Sequence, residues 1–259
     1  DDARGLAAVA AGDTGLHLVD IANLGAPTLV QTVAFNGPVG HLALRDGMVY
    51  ATVGADLAIV DIETGEIRTT QSVGGAALIG LSLDGDVLYT LDAANMLRSF
   101  SVIGDTFTAL DTLTLDEGGG GLFVGGGVAY VGRGDSFAQG FQTVNTQDPA
   151  NLVLISGIDS VGIAAQAMAA NGSGWLVSVG NLVVGAGQAG YALDLVDVKD
   201  PTDTGKSLTR YTLPAAPRDL ALANGLAFVA DGTGGLQIVN YSSADRAGAW
   251  EGGKPQLYI

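Results

Sequence analysis

The fold of this chain is decided by a stretch near its end, from Ala230 to Tyr241, that reads ADGTGGLQIVNY. Near the start, from Ala10 to Ile21, the chain reads AAGDTGLHLVDI, with Gly, Thr, Gly, Leu, Val and a carboxylate or amide in the same order. Two stretches this similar at opposite ends of one chain indicate an internal repeat, and a repeat determines the architecture.

Four more segments have the same pattern, and we call all six the anchor segments. They read LHLVDI at 16–21, LAIVDI at 57–62, LRSFSV at 97–102, FQTVNT at 141–146, LDLVDV at 193–198 and LQIVNY at 236–241. Their fifth residues are 41, 40, 44, 52 and 43 positions apart. Periods of about 40–50 residues are typical of propeller blades or of helix pairs. Short segments rich in Val, Ile, Leu and Thr, bounded by Gly, Asp and Asn, favour strands over helices.

Each anchor segment is predicted to be the third of four antiparallel strands. An apolar strand precedes it, such as MVYATV at 48–53, and before that comes an inner strand of small residues, such as DLALANG at 219–225. The inner strands end in Asp-Gly, Gly-Gly or Asn-Gly, which are strong hairpin signals. A more polar fourth strand follows, such as EIRTTQSV at 66–73. Four meandering strands per period make a propeller blade.

The predicted fold is therefore all-β, a single domain over 1–259 that forms a six-bladed β-propeller. The blades are expected at about 1–37, 38–74, 75–116, 117–161, 162–215 and 216–259. The long fifth period predicts that the hairpin in VGNLVVGAGQAGYALD, residues 179–194, extends beyond the others and is the loop best placed to reach a partner.

The first blade enters the repeat at its second strand, since RGLAAVAAGDTGLHLVDI begins at Arg4. A missing inner strand leaves an unpaired edge, which is unfavourable. The segment PQLYI, from Pro255 to Ile259, has two interpretations, as the outer strand of blade six or as a crossing strand. We expect the second, in which the C-terminal strand closes the first blade, because Ile259 ends where Arg4 must begin a hairpin.

The stretches GLHLVDIANLGAPTLVQTV (15–33), YALDLVDVKDPTDTG (191–205) and RDLALANGLAFVADGTGGLQIVNY (218–241) resemble the LVIVD repeat of bacterial and archaeal cell-surface propellers. The match is good in blades one, two, five and six and weak at 97–102 and 141–146. The resemblance implies a propeller that is secreted or displayed on a surface, often within a longer protein, and it implies no defined reaction. We therefore expect an extracellular, cell-surface or periplasmic location.

Composition limits the partners. The chain has 27 acidic against 11 basic residues, a formal net charge of −16, which repels nucleic acid and anionic lipid. It has no cysteine, so disulfides and thiolate metal sites are excluded. No apolar run approaches the roughly 18 residues of a spanning helix, so no membrane insertion is expected. The opening DDARG is interpreted as a mature end or a cut fragment.

The mouth of the predicted central channel offers few groups for chemistry. Its candidates are His41, Glu117, Gln166, Arg218 and Asp219, in loops that are otherwise small and apolar. Because such a mouth is poor in converging polar groups, we predict a protein that is not an enzyme and assign no catalytic residue. The alternative is a hydrolase or lyase at the channel mouth near His41, Glu117 and Asp219.

Two further motifs have a functional and a structural interpretation. GRGDS contains Arg133, Gly134 and Asp135, an integrin-type adhesion tripeptide, but it also falls in a hairpin where Gly and Asp suit the turn. Asp200 and Asp203 lie in one loop and could share a calcium ion with backbone carbonyls, or cap turns instead. Calcium is the only cofactor left open, and a calcium-dependent ligand or adhesion module is a third hypothesis.

The leading hypothesis is a non-enzymatic binding or scaffold module. Its expected partners are a protein or carbohydrate at the cell surface, or other domains of a longer parent chain.

Overall fold

A computed structural model of the protein describes residues 1–116, 118–133, 140–156, 163–183, 189–241 and 256–258. These residues form strands joined by turns, with one 3-10 helix at Gly232–Gly234. In this part of the chain no helix is long and apolar enough to cross a membrane. The chain packs as two compact units, Asp1–Asp116 with Pro149–Asn151, and Glu117–Asp148 with Leu152–Ile259.

The first unit holds three antiparallel sheets. Blade one is β1 (Leu6–Ala10), β2 (Leu16–Asp20) and β3 (Thr28–Val33); blade two is β4 (Val39–Arg45), β5 (Met48–Val53), β6 (Asp56–Asp61) and β7 (Ile67–Ser72); blade three is β8 (Leu78–Asp84), β9 (Val87–Asp92), β10 (Met96–Ser101) and β11 (Thr108–Thr114).

The second unit also holds three sheets. Blade four is β12 (Gly119–Gly125), β13 (Val128–Arg133), β14 (Phe141–Asn145) and β15 (Val153–Ser156); blade five is β16 (Ala164–Ala170), β17 (Trp175–Val183), β18 (Ala189–Asp197) and β19 (Ser207–Leu213); blade six is β20 (Asp219–Ala223), β21 (Leu226–Ala230), β22 (Leu236–Asn240) and β23 (Gln256–Tyr258).

In every sheet the strands follow one another in chain order, as antiparallel meanders do. The predicted fold class, all-β with six propeller blades of three or four strands, is confirmed. The hairpins after the inner strands use the predicted residues, since Asp46 and Gly47 both have positive φ, as do Asn224 and Gly225. Positive φ at both central residues matches the twist of a tight hairpin.

Blade five has the extended hairpin that its long period predicts. Strands β17 and β18 have nine residues each, and their pairing runs from Trp175 opposite Asp197 out to Val183 opposite Ala189. The tip, residues 184–188, lies outside the described residues.

The anchor strands of blades two and five are buried on both faces because another blade of the same unit covers each face. In blade two, Ala58 and Val60 pack with Leu16 of blade one, whereas Leu57 and Ile59 pack with blade three. Blade five does the same between blades four and six. This explains why anchor segments read as continuous apolar runs rather than as alternating ones.

Glycine is required where two inner strands of the second unit approach each other. A Cβ on Gly121 in β12 would lie 2.6 Å from the carbonyl oxygen of Gln166 in β16. The glycine run at 118–121, at the start of β12, therefore allows close backbone packing.

The expectation that the C-terminal strand closes the first blade is wrong. Strand β23 pairs antiparallel with β22, with Ile238 opposite Tyr258, and so it is the outer strand of blade six. Among the described residues, blade one has three strands, in the order β1-β2-β3. The segment takes the outer position because it pairs there with β22, the strand that precedes it in the sequence.

Candidate functional site: polar residues of the inner strands and hairpins

The channel-mouth candidates are spread over both units. His41 lies in β4 of the first unit and is exposed, with its backbone N–H donating to Thr52 Oγ1 at 2.9 Å. Gln166 lies half-buried in β16 of the second unit. Glu117 lies outside the described residues.

Arg218 and Asp219 stand at the start of β20, an inner strand adjacent to β16. Both are exposed. The backbone N–H of Arg218 donates to the Ala230 carbonyl at 2.7 Å, and the Asp219 carboxylate accepts from the Leu220 N–H at 2.8 Å. Within the described ranges no hydrogen bond or ion pair joins the side chains of Gln166, Arg218 and Asp219. The structure therefore places these three on neighbouring strands without assembling them into one constellation.

The adhesion tripeptide is only partly described. Arg133 ends β13 and is half-buried, with its backbone N–H directed at the Gly140 carbonyl, 3.4 Å away. Gly134 and Asp135 lie outside the described residues, so the adhesion hypothesis stays a prediction.

The carboxylates of Asp200 and Asp203 are engaged in their own turns. Asp200 Oδ1 accepts from the Thr202 hydroxyl at 2.6 Å and from its backbone N–H at 3.0 Å. These bonds, the hydroxyl's first, hold the pKa of Asp200 below its usual range. Asp203 accepts from the Gly205 N–H at 3.2 Å and pairs with Lys206, which raises the lysine's pKa.

This geometry is that of turn caps. In the described part of the chain no three or more His, Cys, Asp or Glu side chains group as metal ligands would.

An ion pair in blade five, between a buried carboxylate and an exposed arginine, was missed by sequence reasoning. Asp194 in β18 is 1% exposed, and Arg210 in β19 stands opposite it in register. Arg210 Nε donates to Asp194 Oδ1 and Arg210 Nη2 donates to Asp194 Oδ2, both at 2.6 Å. The bond to Asp194 raises the pKa of the guanidinium. A bidentate pair of this kind neutralises a carboxylate that could not stay charged alone in the core.

A small cavity borders this pair. Its volume is about 10 Å³, the room that one water molecule needs. Its polar lining is Ser178, Asp194, Thr204 and Ser207. An acidic residue in an apolar anchor strand, opposite a basic residue in the next strand, is the signal from which the pair could have been predicted.

Two other buried carboxylates occupy one repeat position, at the end of the second strand. In blade three, Asp92 is fully buried and accepts from Arg98 at 2.7 Å and from the Ala94 and Met96 backbone N–H groups. In blade six, Asp231 is also fully buried, but its Oδ2 accepts only from the Ala215 N–H at 3.1 Å.

The two carboxylates differ in how many hydrogen bonds and ion pairs offset the cost of their burial. Asp231 Oδ1 has no hydrogen-bond partner in the described part of the chain, and burial raises the pKa of this carboxyl. Asp92 has a cation and two amides instead. Buried polar atoms are normally paired, so Asp231 stands out in the repeat.

Comparison with known proteins agrees with this architecture. The LVIVD repeat family model matches residues 5–34, which span β1 to β3, and residues 216–243, which contain β20 to β22. Blades two and five, whose sequences also resemble the repeat, lie outside these matches. No curated protein sequence matches the chain significantly.

The fold recurs in solved structures. The computationally designed Ika8 protein has a TM-score of 0.61 and 13% identity, over 90% of this chain and 66% of its own. A chain from the crystal structure of the Mitotic Checkpoint Complex has a TM-score of 0.72 and 15% identity, over 98% of this chain and 73% of its own. At such identities the likeness extends to the fold alone. The protein is thus a six-bladed β-propeller that carries LVIVD repeats in its first and last blades.

Proposed function

We propose that the protein is a non-enzymatic, exported β-propeller that acts as a binding or scaffold module of a cell-surface or secreted protein. This proposal rests on the structural roles of the protein's charged side chains. Buried carboxylates such as Asp194 and Asp92 are neutralised by arginine, and loop carboxylates such as Asp200 and Asp203 cap turns. These groups support the blades rather than converge on a common point where a substrate would react.

The surface charge favours particular partners. A net charge of −16 repels nucleic acid and anionic membranes, so a protein or carbohydrate at the cell surface, or another domain of a longer parent chain, fits better. The LVIVD repeats at 5–34 and 216–243 support surface display. The likeness to a chain of the Mitotic Checkpoint Complex adds a case of this fold within a multi-protein assembly.

The enzyme alternative makes a different prediction for the channel-mouth residues. Purified protein and the double variant His41→Ala/Asp219→Asn are compared on panels of glycoside, ester and polysaccharide-lyase substrates. We expect the same background rate for both proteins. Turnover by the wild type that the double variant loses would overturn the non-enzymatic proposal.

The calcium alternative is tested by melting temperature with calcium and with chelator. A bound ion stabilises the fold by mass action, so calcium should leave the melting temperature unchanged if Asp200 and Asp203 only cap turns. A calcium-dependent rise that Asp203→Asn removes would support a calcium-dependent module instead.

Export is tested on intact source cells. Antibodies raised against the chain and protease added from outside should detect and digest the protein without lysis. Protection of the protein until the cells are broken would overturn the proposed location.

A further inference from the structure

The chain contains three Asn-Gly pairs, and the fold places each in different surroundings. They are Asn36-Gly37, Asn171-Gly172 and Asn224-Gly225. In such a pair the glycine nitrogen can attack the side-chain carbonyl carbon of the asparagine, because glycine has no Cβ to hinder the approach. The folded backbone then decides which pair is held in a geometry that favours the attack.

The pair at 171–172 lies in the hairpin that joins β16 to β17. The Asn171 side-chain oxygen Oδ1 accepts from the Ser173 backbone N–H and from the Ser173 hydroxyl, both at 2.9 Å. A carboxamide that accepts from the backbone N–H two residues further on forms an Asx turn. Such a turn folds the carboxamide over the intervening peptide group, and so it brings the carbonyl carbon Cγ of Asn171 toward the Gly172 nitrogen.

The Gly172 nitrogen is available as the nucleophile. Gly172 is exposed, and its N–H donates no hydrogen bond within the described part of the chain. A Cβ built on Gly172 would meet nothing within 4 Å, so water and hydroxide reach this peptide group. The base of the hairpin is held, because the Asn171 N–H donates to the Trp175 carbonyl at 3.0 Å and the Val198 N–H donates to the Gly174 carbonyl at 2.9 Å.

The two hydrogen bonds from Ser173 also stabilise the charge that the attack creates. When the deprotonated Gly172 nitrogen bonds to Asn171 Cγ, the negative charge moves to Oδ1. Two donors that are already directed at this oxygen act as an oxyanion hole. The other two pairs differ in this respect, since among the described residues no hydrogen bond reaches the carboxamide of Asn36 or Asn224.

We propose that Asn171 is a self-modifying residue, which deamidates with Gly172 as the nucleophile and Ser173 as the oxyanion donor. Hydroxide takes the Gly172 proton, the bond from the glycine nitrogen to Asn171 Cγ forms, and a succinimide ring closes as the Cγ–Nδ2 bond breaks. Nδ2 takes one proton from water and leaves as ammonia, which restores the hydroxide.

One water molecule then opens the ring at either carbonyl and leaves aspartate or isoaspartate at position 171. The net reaction consumes one water, releases one ammonia and adds one negative charge to the hairpin. The proposal goes beyond the proposed function and is independent of it, because water is the only co-reactant.

The test compares the three pairs within one protein. The folded full chain is incubated in mildly alkaline buffer, and deamidation at each pair is followed by peptide mapping and mass spectrometry. We expect Asn171 to react at least about fivefold faster than Asn36 and Asn224, the factor that one net hydrogen bond to the transition state supplies. In concentrated urea the three pairs should react at similar rates, because the Asx turn is then absent. Reaction at Asn36 or Asn224 as fast as at Asn171 in the folded chain would overturn the proposal.

Two variants of Ser173 test the role of its hydroxyl. Ser173→Ala removes one oxyanion donor and should slow the reaction at Asn171 about fivefold. Ser173→Thr keeps a hydroxyl and should retain most of the rate. The rates at Asn36 and Asn224, measured in the same digests, are the internal controls and should not change. An undiminished rate at Asn171 in Ser173→Ala, or an equal loss in both variants, would contradict the assigned role.

Discussion

Blades one and six have nearly the same second and third strands, yet they bury opposite faces of their anchor strands. Leu16 begins β2 and is 0% exposed, whereas its equivalent Leu236 begins β22 and is 61% exposed. In β22 the buried residues are Gln237 and Val239 instead. Leu16 packs on blade two, and Val239 packs on blade five.

The repeat places apolar residues on both faces of the anchor strand. The position of the neighbouring blade then determines which face is buried. Within its unit, blade one packs against blade two with one face, and blade six packs against blade five with the opposite face. A strand places alternate residues on opposite faces, so the covered side selects one set.

The matched substitutions Leu16→Ala and Leu236→Ala should differ most. We expect Leu16→Ala to lower the free energy of unfolding by about 3–4 kcal/mol, because it leaves a cavity in a packed core. Leu236→Ala should change it by less than about 0.5 kcal/mol, as at other exposed sites. Urea unfolding followed by circular dichroism measures both, and equal losses would contradict the assigned burial.

The second position of the anchor strands gives the next test, since it holds His17 in blade one and Asp194 in blade five. We expect Arg210→Ala to cost about 3 kcal/mol, because it strands a buried carboxylate. His17 is half-buried, its ring contacting Thr14 at 3.4 Å, so His17→Ala should cost less than about 0.5 kcal/mol.

A double change separates charge from packing at this site. Arg210→Met combined with Asp194→Leu should recover most of the loss measured by urea unfolding, because no buried charge remains. No recovery would mean that the ion pair is not the source of the loss.

Proline tests the missing strand of blade one directly. Phe228→Ala first gives β21 the same sequence as β1, and proline is then compared with alanine at residues 8 and 228. Ala8→Pro should cost less than about 1 kcal/mol, because the Ala8 N–H has no backbone partner in the described part of the chain. Proline at 228 should cost about 2 kcal/mol more than alanine there, because it removes a ladder bond to β20.

The same urea titrations provide the measurement. Equal proline costs at the two positions would show that the edge of β1 is paired after all.

The smallest expected effect is the pH dependence contributed by Asp231, whose equivalent in blade one is Ala11. Its folded pKa is raised by burial, so its contribution to stability is full below the unfolded pKa and is lost as pH rises through the folded pKa. The stability of Asp231→Asn relative to wild type should therefore increase with pH over that window and stay constant above it.

Asp200→Asn is the control of opposite sign. Its folded pKa is lowered, so Asp200 stabilises the fold above the unfolded pKa and ceases to do so as pH falls through the folded pKa. Unfolding midpoints across the acid range measure both variants, and parallel profiles for Asp231→Asn and wild type would contradict the burial of that carboxyl.

The sites were harder to predict than the fold. Asp200 and Asp203 could be placed in one loop from sequence, but their bonds to Thr202 and Lys206 depend on how that loop turns. Asp194 and Arg210 are 16 residues apart and meet only because β18 and β19 pair in one register. His41 and Asp219 occupy equivalent positions in the inner strands of different blades. Equivalent positions in a repeat do not by themselves bring two side chains together.

The strands, their order in each blade and the number of blades could be read from the sequence, because apolar runs, glycine turns and a recurring period are local signals. Three other features follow from packing between distant residues: β23 completes blade six, Leu16 is buried while Leu236 is exposed, and Arg210 neutralises Asp194. These outcomes depend on which strand or blade lies beside which, and near-identical segments such as LAAVA and LAFVA carry no information about their neighbours.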